Sequence, residues 1–308
     1  MPGFMSNSTA LTLCKADPAK LSPNGKKEKE HPLLPFDVLK AHAFTPEIQA
    51  DGVRLGWVGL GSPLDYDFNF GLEVSSFPAF SLRVDTRKAS AAAVKLQLAE
   101  TLLEKEANGE KITGKDRKDL KEAISAKLTS QAPFIPALTD CIWDMSAGRL
   151  FLSTISAKSI EAVFSLFQTT FGILPQALTP KNDLTAVFAE ICRTGELSCA
   201  DYSLTPFGTA SLATSQQEED KALIAVQNNL HAVSQALDEG LKIQKLRLVA
   251  TSADFPDLPL DFTLDASLGV SGLLLPKSEK SADQIDDYFL KLESYVGVAA
   301  ILEALAAL

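Results

Sequence analysis

Basic side chains are concentrated between residues 83 and 127, where they could bind phosphate. This window holds eleven basic and eight acidic residues, whereas the whole chain of 308 residues carries 29 basic and 39 acidic residues and a formal charge of −10. Lys and Arg bind nucleic acid by displacing phosphate counterions, which requires no particular base sequence. The acidity of the whole chain argues against general nucleic-acid binding, so we expect any anion site inside this window.

Nine side chains of this window form a predicted track that faces phosphate. They are Arg83, Arg87, Lys88, Lys95, Lys115, Arg117, Lys118, Lys121 and Lys127. The competing interpretation is a solvated helix face on which basic and acidic side chains alternate, as Asp119 and Glu122 do beside Arg117 and Lys121. For each residue by itself the pattern favours the solvated face, and the residues alone leave both interpretations open.

Carboxylates are the other side chains that could carry chemistry. A nuclease that uses two metal ions needs several of them at one point, often beside a lysine. The chain has two acidic groups, which are Asp65, Asp67 and Glu73, and Asp254, Asp257, Asp261 and Asp265. Neither group shows an acid-x-Lys step after a strand, and the three histidines are far apart in the chain. We therefore expect surface acids, with no catalytic residue, no metal and no cofactor.

Cysteine spacing and hydropathy bear on the compartment. The four cysteines, at positions 14, 141, 192 and 199, form no C-x-x-C pair, which indicates buried free thiols in a reducing compartment. The longest apolar run, residues 296–308, is too short to span a bilayer. The first residues lack the basic region of a signal peptide. The sequence therefore predicts a cytoplasmic protein that does not enter a membrane.

Two predicted helices position the basic side chains. The first spans residues 90–108, with an apolar stripe at Val94, Leu98 and Leu102, and the second spans residues 114–130, with a stripe at Leu120, Ile124 and Leu128. The link between Gly109 and Gly114 predicts a helical hairpin that projects as an arm. Pro133 and Pro136 exclude a helix over residues 131–136, which leaves Phe134 and Ile135 on a short rigid segment.

Strands and further helices surround this pair. Alternating patterns predict strands at 8–14, 52–60, 68–74, 79–84, 139–143, 149–155, 243–251, 260–264 and 270–275. Helical patterns cover 36–42, 157–171, 184–193 and 218–237, and Ser281-x-x-Gln284 predicts a capping box for a last helix. The mixture predicts an α+β fold with mixed or antiparallel sheets. We expect a base made of residues 1–89 and 137–280, in one or two subdomains, an arm at 90–136, and a C-terminal helix at 281–308 packed on the base.

Several short segments together resemble the RdgC family of bacterial recombination-associated proteins. They are Gly56-Trp57-Val58, Lys95, residues 115–122 (KDRKDLKE), Phe134, Ile142-Trp143-Asp144 with its hairpin, and Gly172-Ile173-Leu174-Pro175. The best match runs from Gly52 to about Pro180, and weaker similarities continue through Thr194-Gly195 and residues 240–248 to the last helix. Order and spacing agree over most of the chain.

The resemblance implies a ring-shaped homodimer that encircles double-stranded DNA without sequence preference and restrains strand exchange by a RecA-type recombinase. It also implies a nucleoid-associated protein in the cytoplasm. The hairpin would form one ring contact, where Phe134 and Ile135 would touch the other subunit. The competing interpretation of Phe134 is core packing. Since some names given to this family call it an exonuclease, a metal-dependent exonuclease is the first alternative function.

The sequence also departs from the pattern of this family. The family carries Arg on both sides of the aromatic residue, and Ala132 and Pro136 stand there. A basic pair expected near a late strand is replaced by the neutral residues 268–272, and the proline before the first arm helix is Ser90. Residues 15–32 look like an insertion. These changes favour a second alternative, in which the fold and dimer persist but a protein partner replaces DNA.

Overall fold

The computed structural model describes residues 3–21, 36–47, 53–69, 77–214, 222–226, 229–254, 258–277 and 284–308. The strands are β1 (Ser8–Lys15), β2 (Arg54–Gly59), β3 (Ala79–Arg87), β4 (Phe134–Asp144), β5 (Arg149–Leu152), β6 (Gln176–Ala177), β7 (Leu197–Cys199), β8 (Tyr202–Ala213), β9 (Ala222–Ala225), β10 (Lys242–Ser252), β11 (Leu260–Asp265) and β12 (Val270–Leu274). The α-helices are α1 (Phe36–Ala41), α2 (Ala91–Ala107), α3 (Gly114–Gln131), α4 (Ala157–Phe171), α5 (Leu184–Thr194), α6 (Leu230–Asp238) and α7 (Gln284–Ala307). The predicted α+β class is confirmed.

The chain divides into two compact units. The larger unit takes in residues 1–43, 57–82 and 139–308, and the smaller unit takes in residues 44–56 and 83–138. The smaller unit therefore contains the predicted arm, residues 90–136, together with neighbouring residues on both sides. Strands β2, β3 and β4 have residues in both units.

A large sheet organises the strands that the structure describes. Neighbouring strands follow the order β2-β3-β4-β5-β1-β12-β11-β10-β8-β7, while β6 pairs with β1 and β9 pairs with β8. The pairs β1–β5, β1–β12, β4–β5, β8–β10 and β10–β11 are antiparallel, as predicted for this fold class. The longest ladder joins β10 to β8, from Lys242 opposite Ala213 to Ser252 opposite Tyr202.

Strand β8 is absent from the sequence prediction because Pro206 and Gly208 interrupt its alternating pattern. The register of β8 against β10 shifts at these residues. Leu246 lies opposite Ala210, and Leu248, two residues later, lies opposite Pro206, four residues earlier on β8. Gly208 has a φ of 64°, and a Cβ there would lie 2.9 Å from the Arg247 side chain. Only glycine fits this bulge without strain.

Three further predictions need correction. Phe68 and Asn69 lie in no strand, and the rest of the strand predicted at 68–74 lies outside the described residues. The helix predicted at 218–237 is wrong in its first half, because Ala222–Ala225 form β9 against β8. A run of Ala, Leu and Ile favours a helix locally, and the available edge of β8 overrides that preference. The short rigid segment predicted at Phe134 and Ile135 is part of a strand, since β4 begins at Phe134 and not at residue 139.

The core of the larger unit forms between its sheet and its helices. Phe151, Phe188 and Tyr295 are fully or almost fully buried in one apolar cluster. Helix α7 is fixed there by polar contacts as well, since Arg149 donates two hydrogen bonds of 2.8 and 2.6 Å to the carboxylate of Glu303. All four cysteines are buried, as predicted, and burial raises the pKa of the Cys14 thiol to about 12.

The smaller unit has a core of its own between α2 and α3. Val94, Leu98 and Ile124 are buried there, and Leu102, Leu120 and Leu128 pack against them. These six residues are the two apolar stripes that the helical spacing predicts, so both predicted faces are confirmed. Helix α3 begins with a reciprocal cap in which the Thr113 hydroxyl accepts from the backbone N–H of Asp116 and the Asp116 carboxylate accepts from that of Thr113.

Candidate nucleic-acid interface

A groove on the smaller unit brings together five of the nine predicted phosphate-binding side chains. Its volume is about 640 Å³, and the end of β3 and the helices α2 and α3 line it. The basic residues in this lining are Arg87, Lys88, Lys95, Arg117 and Lys121. We call this feature the basic groove.

The spacing of residues along α3 explains the course of the basic groove. Arg117, Lys121, Ser125 and Thr129 follow one another at steps of four residues, so they share one face of the helix. At 1.5 Å per residue this row is about 18 Å long. That length corresponds to roughly five steps of 3.4 Å along one strand of a duplex. Two hydroxyl groups continue the row beyond the two cations and could donate hydrogen bonds to phosphate oxygens.

The charge in the basic groove has a single sign. The described lining residues include five cations and no carboxylate. A second depression on the same unit is different, because Lys105 and Lys111 line it together with Glu110, Asp116 and Asp119, and Lys105 makes a 2.5 Å ion pair with Glu110. Three acidic residues therefore face this second depression, whereas none is among the described lining residues of the basic groove.

The other predicted basic residues lie elsewhere. Arg83 makes two hydrogen bonds of 2.7 and 2.8 Å to the carboxylate of Asp85, and its guanidinium stacks 4.0 Å from the ring centroid of Phe44. Lys115, Lys118 and Lys127 are exposed on α3 and do not line the basic groove. Lys118 lies 3.9 Å from Glu122, which is the i,i+4 arrangement of a solvated helix face.

Phe134 belongs to the same unit and contacts two arginines. The guanidinium carbons of Arg54 and Arg87 are 3.8 and 4.2 Å from its ring centroid, a distance at which a cation is attracted to the ring. Arg87 also donates a 2.5 Å hydrogen bond to the backbone oxygen of Ser130. Arg87 thus joins the basic groove to the ring, while Arg54 is a residue that the sequence reasoning did not single out.

Arg54 and Arg87 supply the positive charge around Phe134 that its neighbours in the sequence lack. Ala132 and Pro136 carry no charge beside Phe134, yet guanidinium groups from β2 and β3 cover its ring. The Nε atoms of Arg54 and Arg87 are buried and make no hydrogen bond with any described residue. Ile135, the residue that follows Phe134, has an apolar side chain that is 51% exposed.

The predicted acidic groups make local contacts. Asp65 accepts a 3.0 Å hydrogen bond from the backbone N–H of Asn69, and Asp261 pairs with Arg247 through two bonds of 2.8 Å. Asp265 caps its own turn through the backbone N–H groups of Ser267 and Gly269, each at 2.9 Å. Glu73 and Asp257 lie outside the described residues, and within them no group of three or more potential ligands is placed to hold a metal ion.

One buried acid of the larger unit has a structural role. Burial raises the pKa of Asp140, whose carboxylate accepts hydrogen bonds of 2.8 Å from the backbone of Phe4 and 2.6 Å from the Ser81 hydroxyl, so this acid holds the fold together. Among the described helices, none is both long and apolar enough to cross a bilayer.

The described geometry can be set beside a family of known proteins. A family model described as "Putative exonuclease, RdgC" matches residues 36–271 of the 308-residue chain. The matched part includes the whole of the basic groove and the cluster around Phe134. No curated protein matches the chain.

Proposed function

Because the chain belongs to the RdgC family, we propose that it is a recombination-associated protein that binds duplex DNA without sequence preference. In this proposal it acts as a homodimer and limits strand exchange by a RecA-type recombinase, as the resemblance implies. The observation that carries the proposal of DNA binding is the basic groove, in which five cations converge without a carboxylate among the lining residues.

Such a groove suits the phosphate backbone better than the base edges. Its polar groups are positive side chains and two hydroxyls, which contact phosphate oxygens and carry no sequence information. It offers no Asn or Gln, the side chains that read adenine through paired hydrogen bonds. We therefore propose that Arg87, Lys88, Lys95, Arg117 and Lys121 bind phosphate, and that Lys115, Lys118 and Lys127 add only long-range attraction.

Charge neutralisation within one unit tests this assignment. Lys95→Gln, Arg117→Gln and Lys121→Gln combined should weaken binding of a 30-base-pair duplex by about 10²- to 10³-fold at low salt, since each lost phosphate contact costs affinity. The matched control is Lys115→Gln, Lys118→Gln and Lys127→Gln, which removes the same charge from the same unit outside the basic groove. Fluorescence anisotropy with a labelled duplex measures both.

Three outcomes would contradict the proposal. The wild-type protein could fail to bind duplex DNA even at low salt, which would favour a protein partner in place of DNA. The two triple variants could lose the same affinity, which would make the basic groove an ordinary part of a positive surface. Shortening of linear DNA in the presence of Mg²⁺ or Mn²⁺ would show that binding alone does not describe the protein, and would favour the exonuclease alternative.

The proposed subunit contact involves Ile135, because an exposed aliphatic side chain next to a ring held by two arginines can anchor a second copy. Ile135→Glu should weaken the homodimer by about tenfold or more, since it places a charge in an apolar contact. Leu103→Glu is the control, because Leu103 is 66% exposed on α2. Analytical ultracentrifugation measures the dissociation constants, and equal effects of the two variants would contradict the contact.

A further inference from the structure

A second groove, on the larger unit, has the opposite charge. Its volume is about 410 Å³, and it lies between α7 and residues at the ends of β8, β10 and β11. Its apolar floor includes Leu258, Leu260, Leu292 and Val296. We call it the acidic groove, because the charged residues in its lining are Asp201, Asp254 and Glu293.

The acidic groove is elongated along α7. Phe289, Glu293, Val296 and Ala300 line it at spacings of four, three and four residues, so one face of the helix forms a wall three turns long. The eleven steps along the helix from Phe289 to Ala300 correspond to about 16 Å. A wall of this length fits an extended or helical segment better than a compact small molecule.

Close packing at Gly297 shapes the middle of the acidic groove. The hydroxyl of Tyr202 lies so near this glycine that an added Cβ would be 2.4 Å from it, and 3.1 Å from a methyl group of Leu260. Burial, with a smaller contribution from Asp201, raises the pKa of Tyr202, so its hydroxyl stays protonated and can donate a hydrogen bond. Two hydroxyl groups, those of Tyr202 and the buried Ser252, therefore lie among the apolar lining residues of the acidic groove.

The carboxylates of the acidic groove lack basic partners in the described chain. Asp201, Asp254 and Glu293 are exposed, and none makes an ion pair with another described residue. Among the lining residues that the structure describes there is no Lys, Arg or His. Three negative charges around an apolar bed are complementary to a ligand that has an apolar face and positive charges beside it.

We propose that the acidic groove binds a short amphipathic basic segment of a protein partner. The apolar side chains of that segment lie along α7, and its Lys or Arg side chains pair with Asp201, Asp254 and Glu293. This site consists of residues of the larger unit and does not depend on DNA binding by the basic groove.

A designed probe peptide tests this proposal on the full-length protein. The probe is a labelled 14-residue helix with Leu or Phe at positions i, i+3, i+4 and i+7 and Lys or Arg elsewhere. A second peptide of the same composition, reordered so that it has no apolar stripe, should bind about tenfold more weakly, since only the first can bury its apolar side chains in the groove. Fluorescence anisotropy measures both affinities.

Two variants locate the binding site. Ala300→Trp fills the acidic groove and should weaken the probe about tenfold or more, because it removes the space for the apolar anchors. Asp201→Asn, Asp254→Asn and Glu293→Gln combined leave the space intact and should weaken binding about tenfold through lost charge pairing. The control triple, Glu161→Gln, Glu190→Gln and Asp238→Asn, removes the same charge from exposed positions of the larger unit and should leave the affinity unchanged.

Several results would overturn the proposal. Equal affinity for the two peptides, or unchanged binding by both groove variants, would show that the probe binds the acidic protein elsewhere. Tight binding of benzylamine, detected by NMR and competitive with the probe, would make a small apolar cation the occupant. A change in the sedimentation of the protein alone on Ala300→Trp would assign the groove to contact between copies of this chain.

Discussion

At the scale of single residues, the partner of each arginine decides its role. Arg83 and Arg87 are both on β3, yet Arg83 is held by Asp85 whereas Arg87 stacks on Phe134 and lines the basic groove. The sequence shows two similar residues four positions apart. Arg83 pairs with Asp85, two residues away, but the rings that the two guanidinium groups contact, Phe44 and Phe134, are distant in the chain. Arg54 could not be identified from the sequence for the same reason, because it contacts Phe134 from β2, a strand that is distant in the chain.

Asp183 provides a residue-scale test of electrostatics. A hydrogen bond from Lys242, at 2.9 Å, and others from Thr185 lower its pKa to about 2, and it caps the first turn of α5. Asp183→Ala should lower the free energy of unfolding by about 1 kcal/mol near pH 7, the usual value of such a cap. Urea denaturation of the two proteins measures this difference.

The pH dependence of that difference follows from the lowered pKa. A carboxyl whose folded pKa lies below its unfolded value of about 3.9 stabilises the protein above that pH, and the contribution is lost as pH falls towards 2. The difference between wild type and Asp183→Ala should therefore be constant from about pH 5 to 7 and shrink between about pH 4 and 2. Asp238→Ala, at an exposed position, is the control. A difference that does not change with pH would contradict the assigned cap.

At the scale of elements, local periodicity correctly predicted the apolar faces of single helices. It failed to predict strands that form only by pairing with neighbouring strands. The stripes Val94-Leu98-Leu102 and Leu120-Ile124-Leu128 follow from helical spacing and are found packed together. The row from Arg117 to Thr129 could likewise be read from steps of four. Strands β8 and β9 could not be predicted in this way, because Pro206, Gly208 and a helix-favouring run are accommodated only by pairing across the sheet.

Because the core between α2 and α3 is small, shortening one of its buried side chains should strongly lower the stability of the helix pair. Leu98 is one of three buried residues there, so Leu98→Ala should cost about 2–3 kcal/mol of local stability. Leu103→Ala, at a position on the same helix that is 66% exposed, should change stability by less than about 0.5 kcal/mol. Hydrogen exchange of the amides of α2 and α3 measures both, and equal protection in the two variants would contradict the packing.

At the scale of the whole molecule, the charge is divided between the units. Residues 44–56 and 83–138 contain twelve basic and ten acidic residues, whereas the rest of the chain contains seventeen basic and 29 acidic residues. A protein with a formal charge of −10 can therefore still bind a polyanion, provided that binding is confined to the basic groove. The sequence window of residues 83–127 located this groove, but which five cations line it depends on how α2 packs on α3.

The salt dependence of duplex binding tests the central claim most directly. Log K falls as log salt concentration rises. If the basic groove contacts phosphate, this negative slope should become shallower by about 2.7 on Lys95→Gln, Arg117→Gln and Lys121→Gln combined, since each lost contact contributes about 0.9. The control triple at Lys115, Lys118 and Lys127 should keep nearly the wild-type slope. An unchanged slope in the groove variant, or the same decrease in both variants, would contradict the account.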